Sequence, residues 1–193
     1  MMEEPEMQLV MTDEQVQEAV EKVAHAVYAE FCEGKTEAEY APVALLGIQT
    51  SGIPLSRRIA KYIREKTGYD VPVGTLDISM YRDDIGVRKV LPPIRETNIP
   101  FDIEGGVVIL ADAILQSGRT IRAALDAVTD YGRPALIRLA VLIDRGGVEY
   151  PIRADYIGWT MQCQMDRKIL VEFSDEDGAD GVYEVAWKKH RAE

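Results

Sequence analysis

The stretch that most limits what this chain can fold into is Val107-Val108-Ile109-Leu110-Ala111, an apolar run that ends abruptly in an acid. Asp112 closes the run, then comes a short segment of small and polar residues. From Arg119 the apolar positions Ile121, Leu125 and Val128 recur at helical spacing. A strand, a loop of phosphate size and a helix start therefore stand in that order. Two other stretches share the pattern. Val43 to Ile48 is a continuous apolar run that ends in Gln49-Thr50-Ser51-Gly52, with Pro54 placed for the first turn of a helix. Leu136 to Ile143 is another, ending in Asp144-Arg145-Gly146-Gly147. Strands alternating with helices predict an α/β fold whose mostly parallel twisted sheet is flanked by helices. Such sheets bind ligands at the carboxyl ends of their strands. The loops at 49–52, 81–96, 112–118 and 144–147 are thus expected to converge.

The remaining elements fit around that plan. Residues 1–10 are expected to be a loose tail or short edge segment, and 11–193 a single domain. Thr12 to Gln15 fits a capping box, and Val16, Val20, Val23, Val27 and Phe31 predict a helix over 13–32. A second helix carries Leu55, Ile59, Tyr62 and Ile63 and ends at Gly68, with Arg57, Arg58, Lys61 and Arg64 on its other side. Val71 to Met80 reads as a strand, and Ile99 to Phe101 as a short one. Between them the segment from Tyr81, with Gly86, Pro92 and Pro93, has the length of a lid or binding loop. The helix that starts at Arg119 is expected to reach Tyr131, before Gly132 and Pro134. Strands are expected at Tyr156–Trp159, Lys168–Phe173 and Val182–Trp187, with a turn at Asp175–Gly181.

Bulk properties exclude several classes. Lys plus Arg total 22 against 33 Asp plus Glu, a formal net charge of −11, which weakens any case for broad nucleic-acid binding. No apolar run approaches the ~20 residues of a membrane span. The acidic start, Met1-Met2-Glu3-Glu4, lacks the apolar core of a signal peptide, so a cytoplasmic location is expected. Cys32 and Cys163 stand far apart without ligand spacing and read as free thiols rather than a zinc site or disulfide framework.

The loop Gln116-Ser117-Gly118-Arg119-Thr120 opens a helix, where free amides and the helix dipole attract anions. Ser117 and Thr120 add hydroxyl donors. Asp112 repels phosphate and suits sugar hydroxyls or a metal ion instead. Together they point to a phosphorylated sugar; a plain strand-to-helix turn is the alternative. Neither G-x-x-x-x-G-K-[ST] nor G-x-G-x-x-G occurs, which disfavours nucleoside-triphosphate and dinucleotide sites.

The loop resembles the phosphoribosyl-diphosphate (PRPP) signature of type I phosphoribosyltransferases. More narrowly, the chain resembles the PyrR family of pyrimidine-operon regulators and uracil phosphoribosyltransferases from Thr12 to about Val185. The resemblance rests on Ala24-His25, Gly47-Ile48-Gln49-Thr50, Asp77-Ile78, Tyr81-Arg82-Asp83-Asp84, Ser117-Gly118-Arg119-Thr120, Gly132-Arg133-Pro134, Leu142-Ile143-Asp144-Arg145-Gly146 and Pro151-Ile152-Arg153-Ala154-Asp155-Tyr156-Ile157-Gly158. It implies a type I phosphoribosyltransferase fold with a small hood built from the terminal segments. It further implies that PRPP binds with Mg²⁺ and reacts with uracil to give UMP and pyrophosphate. On this likeness Gln116, Ser117, Gly118, Arg119 and Thr120 hold the 5′-phosphate, Asp112 and Ala113 line the ribose, and Asp112 meets the metal indirectly through PRPP and water. Thr50, Ser51 and Gly52 hold pyrophosphate, Asp144 and Arg145 border the base, and Arg82 with Asp112 serves catalysis. The family also implies a homodimer or larger assembly. A leader-RNA face would draw on Lys22, His25 and Arg153, with Arg138 and Arg145 as further contributors.

Several positions depart from the family pattern. Ala113 stands where a second acid is usual, Ser51 where arginine is usual, Gln116 for a common tyrosine and Ser117 for a common threonine. On the RNA face, Glu21, Gly147 and Val148 stand where polar or basic groups are usual. A hydrogen bond to a charged group contributes ~1.5–3 kcal/mol. Losing the two charged contacts at 51 and 113 is expected to weaken PRPP binding or turnover by roughly two to four powers of ten. A regulator that senses UMP or PRPP without useful catalysis is therefore the alternative function.

Overall fold

The computed structural model describes residues 7–36, 43–84, 95–162, 167–174 and 179–186. Its centre is a five-stranded parallel sheet of β2 (Val43–Ile48), β3 (Val73–Leu76), β4 (Val107–Leu115), β5 (Leu136–Asp144) and β6 (Tyr156–Thr160), in the order β3-β2-β4-β5-β6. Alternation along the inner strands decides which layer each residue joins. Leu45, Ile109 and Leu142 face the apolar cluster under α1 (Asp13–Phe31) and α2 (Gly52–Thr67). Leu46, Val108, Leu110 and Val141 face α3 (Arg119–Val128), which buries Ile121, Ala124 and Val128 against them. Both faces of the sheet are covered, as a parallel sheet requires.

The helix starts follow from local chemistry. Thr12 and Gln15 form a reciprocal capping box at α1, whose buried stripe is Val16, Val20, Val23, Val27 and Phe31. Each such side chain contributes about 1.5–3 kcal/mol when fully buried. Gly68, at φ 76°, ends α2 as its left-handed cap.

A three-stranded antiparallel sheet, β1 (Met7–Met11), β8 (Gly181–Ala186) and β7 (Arg167–Glu172), forms the hood. Met7 lies opposite Val185, so the first and last described segments pair with each other. Of a loose tail or a short edge segment at residues 1–10, the described part is an edge strand: backbone pairing with β8 orders the chain from Met7. Arg58 of α2 fastens the hood turn, donating to Asp180 Oδ1 at 2.8 Å and to Ser174 Oγ at 3.1 Å, and lying over the Phe173 ring.

Other boundaries also move. β4 runs past Asp112 to Leu115 because its ladder with β5 continues through Ile114–Ile143 and Leu115–Asp144. β3 is shorter than expected, because the Asp77 carboxylate accepts from both the amide and hydroxyl of Ser79 and turns the chain into a 3-10 turn at Ser79–Tyr81. In place of a strand at 99–101 there is a single bridge between Thr75 and Asn98. α3 ends at Val128, and residues 129–131 continue as a hydrogen-bonded turn. Gly86, Pro92 and Pro93 of the expected lid or binding loop, residues 175–178 of the expected turn at 175–181, and Cys163 and Trp187 lie outside the described residues. Cys32 is a buried free thiol, and burial raises its pKa. Among the described residues no helix is long and apolar enough to cross a membrane.

Candidate functional site

The carboxyl ends of β2, β3, β4 and β5 open on one cleft, made of two adjoining cavities that share Arg82, Ile114 and Thr120 as walls. The first, about 340 Å³, is lined by Gln49, Ser51, Asp77, Ser79 and Asp112. The second, about 570 Å³, is lined by Gln116, Ser117, Gly118, Arg119, Arg145 and, from the hood, Lys168 and Ile169. Each falls within the size range of small-molecule sites.

The loop after β4 is held mainly by backbone. Ser117 O accepts from the amides of Glu149 at 2.9 Å and Tyr150 at 3.1 Å, and Ser117 Oγ accepts from the Arg119 amide at 3.3 Å. Gly118 adopts φ 85° just before α3, a left-handed conformation that disfavours side chains. A Cβ there would also stand 3.3 Å from Tyr150 Cβ. Glycine is required by this turn and its packing, where the sequence alone suggests only room for a phosphate. All five expected phosphate-loop residues, Gln116 to Thr120, line the second cavity. The Arg119 side chain, however, is engaged elsewhere: it pairs with Asp83 and, at 2.6 Å, with Glu149, and lies over the Tyr150 ring.

Asp112 is 8 % exposed and lines the first cavity. Burial pushes its pKa up to about 7, opposed only by the amides of Ala113 and Ile114. A buried carboxylate of this kind gains from a cation or a ring of hydroxyls. Around it the cavity presents oxygen donors, namely Ser51, Ser79, Asp77 and Thr120, the hard donor set that suits Mg²⁺. Ala113 differs. It is 1 % exposed and packs in the apolar cluster with Ala111 and Ile143, so the expectation that it lines the ribose does not hold for its side chain. Successive residues of a strand point to opposite faces, and only Asp112 faces the cleft.

The expected pyrophosphate loop, Thr50 to Gly52, leads from β2 into α2, and Ser51 lines the first cavity. A Cβ on Gly52 would fall 2.1 Å from the Ala111 carbonyl oxygen, so this loop lies directly on β4. Arg82 lines both cavities and is held by Asp84 at 2.9 Å and 3.0 Å. Of the two expected base-pocket residues, Arg145 lines the second cavity, 7 % exposed, and donates to the Arg167 carbonyl at 2.6 Å. Asp144 lines neither cavity; its carboxylate accepts from the Gly146 amide at 2.9 Å and shapes the turn.

Asp77, Gln49, Ser79, Lys168 and Ile169 also line the cleft, and residue order assigns none of them a role there. Gln49 lies within the loop at 49–52 already singled out, and Asp77 and Ser79 stand just before the loop at 81–96. The last two reach the cleft only because the hood folds back, which no local pattern announces.

The basic residues expected to face RNA are scattered in their engagements. Lys22 donates to the Gly158 carbonyl at 3.0 Å, Arg138 pairs with Glu30 at 3.0 Å, and Arg145 is buried. His25 sits in a cluster with Tyr28 and Tyr62, its Nδ1 3.3 Å from the Tyr62 hydroxyl. Arg153 is exposed on the loop between β5 and β6.

The parallel sheet, the glycine turn between its central strand and α3, and the hood at its carboxyl end make up the phosphoribosyltransferase fold. The family model described as the phosphoribosyl transferase domain matches residues 14–174. Solved structures of similar fold include the hypoxanthine phosphoribosyltransferase of Trypanosoma cruzi, with TM-score 0.68 and 15% identity over 94% of this chain and 97% of that one. The Leishmania tarentolae HGPRT-ase in complex with GMP has TM-score 0.67 and 19% identity over the same shares, 94% and 97%. Sequence relatives narrow the class. The chain is 46% identical to the bifunctional protein PyrR of Roseiflexus sp. (strain RS-1) over 90% of its length and 92% of the relative's. It is 51% identical to the bifunctional protein PyrR of Thermus thermophilus over 72% of its length and 77% of the relative's. The chain belongs to the PyrR family of phosphoribosyltransferases.

Proposed function

We propose that this chain transfers ribose 5-phosphate from PRPP to uracil, giving UMP and pyrophosphate. The observation that carries this reading is the two-part cleft: an anion cradle at 116–120 opens beside a buried carboxylate, Asp112, with room for a base next to Arg145. In this reading the backbone amides at the start of α3, with Ser117 and Thr120, hold the 5′-phosphate. Asp112 orients the ribose hydroxyls and, once ionised, stabilises positive charge that develops at C1 as the bond to pyrophosphate breaks. Arg82 draws the departing pyrophosphate. The first cavity's oxygen donors suit Mg²⁺, which would neutralise pyrophosphate charge when bound. The hood and the loop stem at Tyr81–Arg82 limit water, which favours transfer to the base over hydrolysis. Catalysis of this kind rests on positioning and charge stabilisation. The test is UMP formation from uracil and PRPP with Mg²⁺; no UMP at high enzyme and millimolar PRPP would refute it.

The relatives are named bifunctional, and a second role as a leader-RNA-binding regulator is favoured by the cluster of His25, Tyr28 and Tyr62, with Lys66 over the Tyr62 ring. Aromatic faces beside a cation suit unstacked bases. A gel shift with labelled leader RNA, with and without UMP, tests this role. Unaltered mobility at micromolar protein rules it out.

A further inference from the structure

The guanidinium of Arg119 is the first side chain of α3, directly after the anion cradle, yet it turns toward two carboxylates. Asp83 reaches it from the stem of the loop after β3, and Glu149 from the loop after β5. Glu149 Oε2 accepts from both Nε, at 2.9 Å, and Nη2, at 2.6 Å. Tyr150 lies under the guanidinium at 5.4 Å. The same loop stem is tied to α3 a turn further on, where Arg122 Nη2 donates to the Tyr81 carbonyl at 2.6 Å, and the Tyr81 hydroxyl donates to Asp130. Three loops that wall the cleft thus meet at one planar, five-donor group. Arginine suits such a junction because its rigid fork serves two acceptors at once.

We propose that Arg119 is a positioning residue, a clamp that fastens the loop stem at 81–84 and the loop at 145–150 to the cradle, and not a ligand of the phosphate. Two carboxylates already offset its single charge, leaving the cradle's anion affinity to backbone amides and to the hydroxyls of Ser117 and Thr120. The clamp also fixes Asp83, next to Arg82, and so sets where Arg82 enters the cleft. As a role in transfer the proposal rests on the function proposed above; the clamp itself is measurable without substrate.

The two possibilities predict opposite signs for the carboxylate variants. If Arg119 clamps, Asp83→Asn and Glu149→Gln each weaken UMP binding about three- to ten-fold by calorimetry on the full chain, in the same direction as Arg119→Met. Arg119→Met combined with Asp83→Asn is then no worse than the poorer single variant. In the transfer assay Asp83→Asn lowers kcat several-fold with little change in KM for PRPP, while the melting temperature stays put. If instead Arg119→Met costs ten-fold or more and the two carboxylate variants leave UMP binding unchanged or tighter, Arg119 is a phosphate ligand and the proposal fails. Hydrogen exchange on the unliganded protein is an independent readout. The clamp requires Arg119→Met to speed exchange at residues 81–84 and 117–120 together, and unchanged exchange at 81–84 overturns it. Should the unsubstituted protein bind no UMP, the function proposed above falls while exchange still decides the clamp.

Discussion

The two ends of the cleft are built from different materials. At the cradle the contacts are mainly backbone: Ser117 O receives two amides, Gly118 takes a left-handed turn, and α3 begins directly after it. At the other end the chemistry depends on individual side chains, chiefly Asp112 and the groups around it. A backbone site persists as long as the fold does. A side-chain site can be thinned one substitution at a time without disturbing the sheet. Of the two departures from the family pattern that remove charge, Ser51 falls at the side-chain end, while Ala113 points into the core under α1 and α2.

The largest effect should come from attacking that end where it is still intact. Asp112→Asn is expected to lower UMP formation by about 10²–10³-fold, the usual scale for removing one preorganised charge-stabilising group. UMP affinity measured by calorimetry should fall far less, because the phosphate half is untouched. Next is Gly118→Ala, which forces a Cβ into φ 85° and against Tyr150. It should weaken UMP binding roughly ten-fold or more and cost about 1 kcal/mol of stability, read by titration and urea unfolding. Third, Ser51→Arg restores a cation to the first cavity, and pyrophosphate affinity should rise about ten-fold. Ala113→Asp is not its counterpart. The new carboxylate would enter the apolar cluster under α1 and α2, so the expected result is a loss of about 1–3 kcal/mol in denaturant unfolding rather than a gain in activity.

The last expected effect concerns pH. Asp112 has its folded pKa raised from 3.8 to about 7, so the folded state binds the proton more tightly than the unfolded chain. Its contribution is fully present below pH 3.8 and is lost as pH rises through about 7. Asp112→Asn should therefore flatten the decline of melting temperature across that window, and an unchanged slope would show that another group is responsible.

Much of this could be read from residue order, for physical reasons. Apolar runs such as Val43–Ile48 and the α1 stripe state their partners through period alone, and the Ser117-Gly118 turn declares itself by composition. What stayed hidden depends on alternation and on distance. That Asp112 faces the cleft and Ala113 the core follows from how far β4 continues beside β5, which the apolar run does not mark. That Arg119 turns away from the cradle follows from Asp83 and Glu149, dozens of residues away on either side. Lys168 and Ile169 join the cleft through the hood, whose order is set by the β1–β8 pairing.

That pairing has a consequence for how the protein comes into being. Met7 and Val185 are neighbours in the hood, so the first and last of the described elements to be synthesised must meet. The parallel sheet and its cradle can assemble while synthesis is still under way, since β2 to β6 are complete by Thr160. The hood wall of the second cavity waits for β7 and β8, and contacts between such distant segments form slowly. A nascent chain released early would carry the turn at 116–120 already formed beside a cavity that still lacks Lys168 and Ile169.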